Sequence, residues 1–231
     1  MGFFNVYTTS NSYLSDYFQY LTEQWSSSDN TFTGAWNRET GTASTIARVT
    51  SDEDMIKVAV TVPASDTARL RTTYNFRATP SKFSSTSNTS MVRGIFAEWE
   101  AKCTNVANIN NSTFFMGFSE STSGLRPTAD IIGFGLSSDA IPTVTDSSGT
   151  ETTNLPSAIT LTNRNLYKMA ITENQVEFWI NGNSVATHTT NLPDIMPHFM
   201  IYNASEAGGA STVDLGFCRV FYRGFEDARS F

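Results

Sequence analysis

Residues 166–190 read LYKMAITENQVEFWINGNSVATHTT. Two alternating runs, LYKMAIT (166–172) and QVEFWIN (175–181), are followed by Asn181-Gly182 and then by NSVATHTT (183–190). Val176, Phe178 and Ile180 share one face of the second run, and Trp179 falls on the other. Asn-Gly tolerates the positive φ angles of a two-residue hairpin turn, so the runs on either side of it pair as antiparallel strands.

The same texture spreads outward from this hairpin. MIKVAVTV (55–62) places Ile56, Val58, Val60 and Val62 on one face. GIFAEWEAKC (94–103) sets Ile95, Ala97, Trp99 and Ala101 against Phe96, Glu98, Glu100 and Lys102. FFMGF (114–118), HFMIYN (198–203) and TVDLGFCRVFY (212–222) add further strands. IIGFGL (131–136) carries glycines inside an apolar run, the mark of a close backbone approach. Many strands, polar turns and no βαβ rhythm predict an antiparallel sandwich, with Val58, Val60, Trp99, Phe178, Ile180 and Phe217 in its core. The polar stretch TVTDSSGTETTNLPSA (143–158) reads as a mobile loop or an outward hairpin. No linker divides the chain: residues 26–231 read as one sandwich domain, and residues 1–25 as an N-terminal arm or helix. Within that lead, Leu14, Phe18, Leu21 and Trp25 recur at helical spacing behind Ser12, a suitable N-cap.

Composition narrows the function. Only 16% of the 231 residues are charged and the net charge is −7. Basic runs are absent, which argues against nucleic acid and against anionic membrane surfaces as partners. No stretch is long and apolar enough to span a bilayer. MGFFNVYTTSNSYL lacks the charged and apolar regions of a secretory signal. The expected location is therefore a virion surface if the source is viral, and otherwise the cytoplasm or a non-classical export route. Cys103 and Cys218 both lie in apolar runs. Two buried free thiols are the plainer reading and one disulfide the alternative. Neither has a Cys or His neighbour at metal-ligand spacing.

The order of motifs IFAEWEAKC, FFMGFSES, IIGFGLSSD, LYKMAITENQVEFWINGNSVATHT and VDLGFCRVFY, from 94 to 222, resembles the concanavalin A-like lectin/glucanase superfamily. YFQYLTEQW (17–25) and TARLRTTYNF (67–76) look more like such domains in virus and phage particle proteins than like the enzymes. The resemblance implies a jelly-roll sandwich of two antiparallel sheets. It also implies where chemistry would sit. The sandwich glucanases carry their acids on alternate residues of one strand, and the comparable strand here reads Glu98-Trp99-Glu100-Ala101-Lys102. Lys102 stands where the second catalytic acid belongs, so the resemblance implies no hydrolase activity; the plain reading is a solvated strand face on which Lys102 offsets Glu100. Asp214 matches the aspartate that helps hold a structural calcium in those enzymes, beside the plainer reading of a surface Asp.

Two aromatic residues are candidates for sugar contact: Trp179, outside the apolar face of its strand, and Tyr202. The alternative for Trp179 is cover by a loop or a neighbouring subunit. No nucleophile signature surrounds His188 or His198. The expected function is a non-catalytic structural or surface protein of a virus-like particle. Its partners would be copies of itself, through Phe3, Phe4 and Tyr7 of the aromatic lead, other particle proteins, and glycans. A lectin-like module is the alternative and a glycoside hydrolase the outsider. No cofactor is expected apart from the calcium near Asp214.

Overall fold

The computed structural model describes residues 13–17, 36–41, 44–48, 56–60, 67–72, 92–104, 112–120, 130–135, 142–172, 174–193, 198–205 and 211–224. Among them every regular element is a strand. In chain order these are β1 Tyr13–Tyr17, β2 Trp36–Thr40, β3 Thr45–Arg48, β4 Ile56–Val60, β5 Thr67–Thr72, β6 Val92–Thr104, β7 Ser112–Ser119 and β8 Ile131–Gly135. They continue as β9 Pro142–Asp146, β10 Thr150–Asn154, β11 Asn165–Ile171, β12 Val176–Ile180, β13 Asn183–His188, β14 His198–Ser205 and β15 Ser211–Gly224. Sheet one runs β13-β12-β11-β6-β15-β4-β3, with β1 also on β15; sheet two runs β10-β9-β8-β7-β14-β5-β2. Every strand pair is antiparallel. Among the described residues the fold is an all-β jelly-roll sandwich of two antiparallel sheets.

Alternation determines which side chains meet between the sheets. Sheet one contributes Trp99, Tyr167, Met169, Phe178 and Ile180, and sheet two Met116, Phe118, Ile132 and Phe134, all at most 2% exposed. Phe134 is the keystone. Its ring stands edge-on to Tyr167 at 5.2 Å, to Phe178 at 5.3 Å and to Trp99 at 5.7 Å, while Trp99 stacks on Tyr167 at 5.7 Å. Edge-to-face and offset-stacked rings suit the aromatic quadrupole and add to the area buried. Trp99, Phe178 and Ile180 are thus core as expected; the side chains of Val58, Val60 and Phe217 lie outside the described residues.

The decisive hairpin is present: Ile180 faces Asn183, with φ of 52° at Asn181 and 80° at Gly182. Asn181 also works beyond its own turn. Its Oδ1 accepts the Leu166 amide at 2.9 Å and its Nδ2 donates to Asn165 Oδ1 at 2.8 Å, while its backbone N–H reaches the Leu166 carbonyl at 2.8 Å. Asn165 in turn donates to the carbonyls of Thr160 and Asn163, both at 3.0 Å, and so ties the incoming loop to β11. The glycines of β8 permit the close approach that their spacing predicts. A Cβ on Gly133 would come 2.6 Å from the Phe115 ring, and one on Gly135 2.1 Å from the Phe114 carbonyl oxygen.

One expectation is corrected, and another is decided between its alternatives. Tyr13–Tyr17 is a strand, not the start of a helix; it pairs with Phe217–Phe221 of β15. YLSDY fits a period of two as well as one of 3.6, and the ladder groups of β15 supply a strand with partners that a short exposed helix lacks. Residues 18–25 lie outside the described residues. Of the two readings of the polar stretch from 143, a mobile loop or an outward hairpin, the hairpin is the one found. The first half of the stretch forms the β9–β10 hairpin, and Thr143 and Thr145 are fully buried.

Cys103 and Cys218 are buried and not joined in a disulfide. Cys103 sits opposite Val213 and Cys218 opposite Trp99, four ladder positions apart. At roughly 3.3 Å per residue that is about 13 Å, beyond the reach of a disulfide. Burial, with the charge of Asp214 in support, pushes the Cys103 thiol up to about 12.

Candidate functional site on the outer face of sheet one

Residues of β6 that do not face the core face outward, and β6 lies in the middle of sheet one. Glu98, Glu100 and Lys102 therefore form a polar row, each half-buried. Register extends the row sideways. Glu98 lies between Lys168 of β11 and Arg219 of β15, and Lys168 lies opposite Trp179 of β12. Trp179 is half-buried and Lys168 exposed, with its Nζ 5.1 Å from the centre of the Trp179 ring. At an exposed site such a cation–π contact is worth about 0.5–1 kcal/mol, enough to bias the Lys168 rotamer and set the tilt of the indole. On the same face of β12, Glu177 Oε1 accepts from Gln175 Nε2 at 2.5 Å.

The charges pair differently from the sequence expectation. Glu100 is held by Arg164 at 3.0 Å, not by Lys102. Lys102 points to β15, where its Nζ is 3.8 Å from Asp214 Oδ2. The cause is a bulge: Leu215 faces Ala101 and Cys218 faces Trp99, so two residues of β15 oppose Glu100 alone. One of them is Gly216, where a Cβ would come 2.8 Å from Glu100 Oε1. The missing side chain leaves a recess for the carboxylate, and Arg164 reaches it from the loop before β11. Glu98 and Glu100 remain side by side on one face, roughly 6.5–7 Å apart along the strand.

Asp214 is not an exposed edge residue: it is 5% exposed. The described residues do not fit a calcium there. No group of three or more His, Cys, Asp or Glu able to hold a metal occurs among them. The Lys102 ammonium already stands beside the carboxylate where a dication would need six to eight oxygens.

The structure does not bring Trp179 and Tyr202 together. Tyr202 belongs to β14 of sheet two, opposite Phe115 and Arg69 in register, and its side chain lies outside the described residues. Phe3, Phe4 and Tyr7 lie outside the described residues. Sequence reasoning missed Lys168, Arg164 and the Gln175–Glu177 pair. A signal for the first was available. Closing the β11–β12 hairpin at 172–175 sets Ile171 against Val176, and every later pair follows, Lys168 with Trp179 among them.

No family model and no curated protein sequence matches the chain. Solved structures do match in fold. A protein of unknown function from Shewanella oneidensis MR-1 has a TM-score of 0.60 and 10% identity, over 94% of this chain and 88% of that one. The Bacillus licheniformis β-glucanase has a TM-score of 0.55 and 15% identity, over 93% of this chain and 99% of the enzyme. A sialidase has a TM-score of 0.56 and 8% identity, over 90% of this chain, which spans only 18% of the sialidase's length. The likeness is one of fold. It corrects the expectation of a non-catalytic chain, because a glucanase is built on this sandwich over nearly its whole length. Lys102, which stands where the second acid was expected, pairs with Asp214 and leaves the two glutamates of β6 side by side.

Proposed function

We propose that this domain recognises carbohydrate on the outer face of sheet one, around Trp179. The observation that carries the reading is the half-exposed indole of Trp179, oriented by Lys168 and flanked by Gln175 and Glu177, with Glu98 one strand beyond Lys168. A sugar ring offers C–H groups to an aromatic face and hydroxyls to planar side chains around it, and this surface supplies both kinds of contact. The glucanase-like fold supports the same direction. A glycan array probed with the intact chain and with Trp179→Ala tests it. Binding to a defined set of glycans that disappears in the variant, with an unchanged circular dichroism spectrum, supports the reading; equal binding by both proteins refutes it.

A second reading rests on Glu98 and Glu100. Two carboxylates on one strand face, beside an aromatic platform, could act on a glycosidic bond as acid and base; inverting glycosidases hold theirs about 6.5–9.5 Å apart. Release of reducing sugar from an array-positive glycan, lost in Glu98→Gln, supports this extension. For the setting we propose a particle surface on which copies assemble through Phe3, Phe4 and Tyr7, supported by the aromatic lead and the low charge density. Light scattering of the chain with and without residues 1–12 tests that assembly: an unchanged mass refutes it.

A further inference from the structure

One buried cluster lies far from the outer face of sheet one. His188 is the last residue of β13, an end strand of sheet one, and is 0% exposed. Its ring meets the β9–β10 hairpin at the corresponding end of sheet two. Nδ1 is 3.1 Å from Thr145 Oγ1, and Nε2 is 3.0 Å from Thr143 Oγ1 and 3.1 Å from Thr153 Oγ1. Close by, Glu151 Oε2 of β10 accepts from the amides of Thr189 and Thr190, at 3.2 and 2.9 Å, and from Thr190 Oγ1 at 2.6 Å. Among the described residues β10 otherwise pairs only with β9, and β13 only with β12. These contacts close the sandwich along this edge.

A count of hydroxyl protons assigns the tautomer. Thr145 Oγ1 donates its proton to the Thr190 carbonyl at 3.2 Å, so towards His188 it can only accept, and Nδ1 must carry the hydrogen. Thr143 Oγ1 has one proton to share between the Thr153 carbonyl at 3.2 Å and Nε2 at 3.0 Å, and Thr153 Oγ1 also reaches Nε2 at 3.1 Å, so a threonine hydroxyl is in place to donate to Nε2. The neutral ring thus has a partner at each nitrogen. A proton added at Nε2 turns that acceptor into a donor and forces the donating hydroxyl to reorient. It also places a charge in a site that is 0% exposed.

We propose that His188, Thr153 and Glu151 form an acid-sensitive latch, and that acidification frees β10 and β13 along this edge while the centre of the sandwich stays folded. Among the described residues the charged group that faces His188 is Glu151; β9 offers it only Thr143 and Thr145, and β12 only Phe178. Burial lowers His188 below its ordinary 6.5, against the attraction of Glu151. The folded edge therefore favours the neutral ring, and its stabilisation is complete above 6.5 and lost as pH falls below it. For Glu151 burial acts upward, but the hydrogen bonds from Thr190 and Thr189 and the attraction of His188 outweigh it and hold the carboxyl below its ordinary 4.5. That contribution is complete above 4.5 and lost below it, so the histidine arm releases first.

Hydrogen exchange of the full chain at about pH 7.5 and pH 5.5, corrected for intrinsic rates, tests the latch. Peptides covering 150–154 and 183–190 should open further at the lower pH, approaching tenfold for each unit by which the fold lowers His188, while 96–103 and 166–171 stay protected. His188→Gln should abolish the step and Glu151→Gln should keep it. The chain has two histidines, so a His198→Gln background leaves His188 as the sole histidine signal in ¹⁵N spectra. That signal should report an Nδ1–H tautomer that titrates below 6.5, and this reading holds even if His188→Gln fails to fold. A step that survives in His188→Gln, no step in the wild type, a global loss of protection, or titration at or above 6.5 would each overturn the proposal.

Discussion

Phe134→Ala is the substitution that asks most of the sandwich. The ring is 0% exposed, comes from sheet two and touches three aromatic rings of sheet one at 5.2–5.7 Å. Truncating a buried Phe to Ala costs about 3–5 kcal/mol, the spread reflecting how far the site can collapse. Collapse is limited here, because the surrounding rings of Trp99, Tyr167 and Phe178 are themselves wholly buried and fixed on paired strands. The aromatic contacts add ~0.5–1.5 kcal/mol each beyond area, so the upper end, about 4–5 kcal/mol, is expected. Equilibrium urea unfolding followed by circular dichroism reads this directly. With a slope of ~2–3 kcal/mol/M the midpoint falls by roughly 1.3–2.5 M. Trp179→Ala, a half-buried position outside the core, should cost less than about 1.5 kcal/mol in the same assay. A loss under about 1.5 kcal/mol for Phe134→Ala would refute the reasoning, since the two sheets could not then be joined through that ring.

Gly182→Ala meets no atom within 4 Å but must adopt φ near 80°, so it should cost about 1–2 kcal/mol in urea unfolding without changing the fold. Asn181→Ala should cost about as much or more, because it also strips the Leu166 amide and Asn165 of partners. Cys103 should resist iodoacetamide at pH 8 in the native chain and react once unfolded, since burial raises its thiol to about 12. Glu100→Gln should change stability by less than ~1 kcal/mol, its Arg164 partner being 39% exposed.

Residues 166–190 disclosed the fold because their hydrophobic period and their turn chemistry agree. Val176, Phe178 and Ile180 alternate into the core, and Asn181-Gly182 closes the strand with the backbone such turns need. The segment at 13–17 failed the same test because five residues cannot separate the two periods. The polar hairpin at 142–154 could not be told from a loop for another reason. Its inward residues, Thr143 and Thr145, are polar because they face His188, a partner 43–45 residues away that no local pattern reveals. The site was legible in part. Alternation put Trp179 and the two glutamates outside the core, but the side chains that set their environment came from elsewhere. Arg164 reaches Glu100 because of a bulge at Gly216, and Lys102 turns to Asp214 across the ladder. Charge order along a single strand does not encode either pairing.

The central claim is that carbohydrate is bound at Trp179, and the indole N–H resonances test it most directly. The chain has four tryptophans, so ¹⁵N spectra show at most four such signals. Titration with an array-positive oligosaccharide should move the Trp179 signal saturably and leave that of the buried Trp99 in place. A saturable shift confined to other tryptophans, or none at all, would contradict the account.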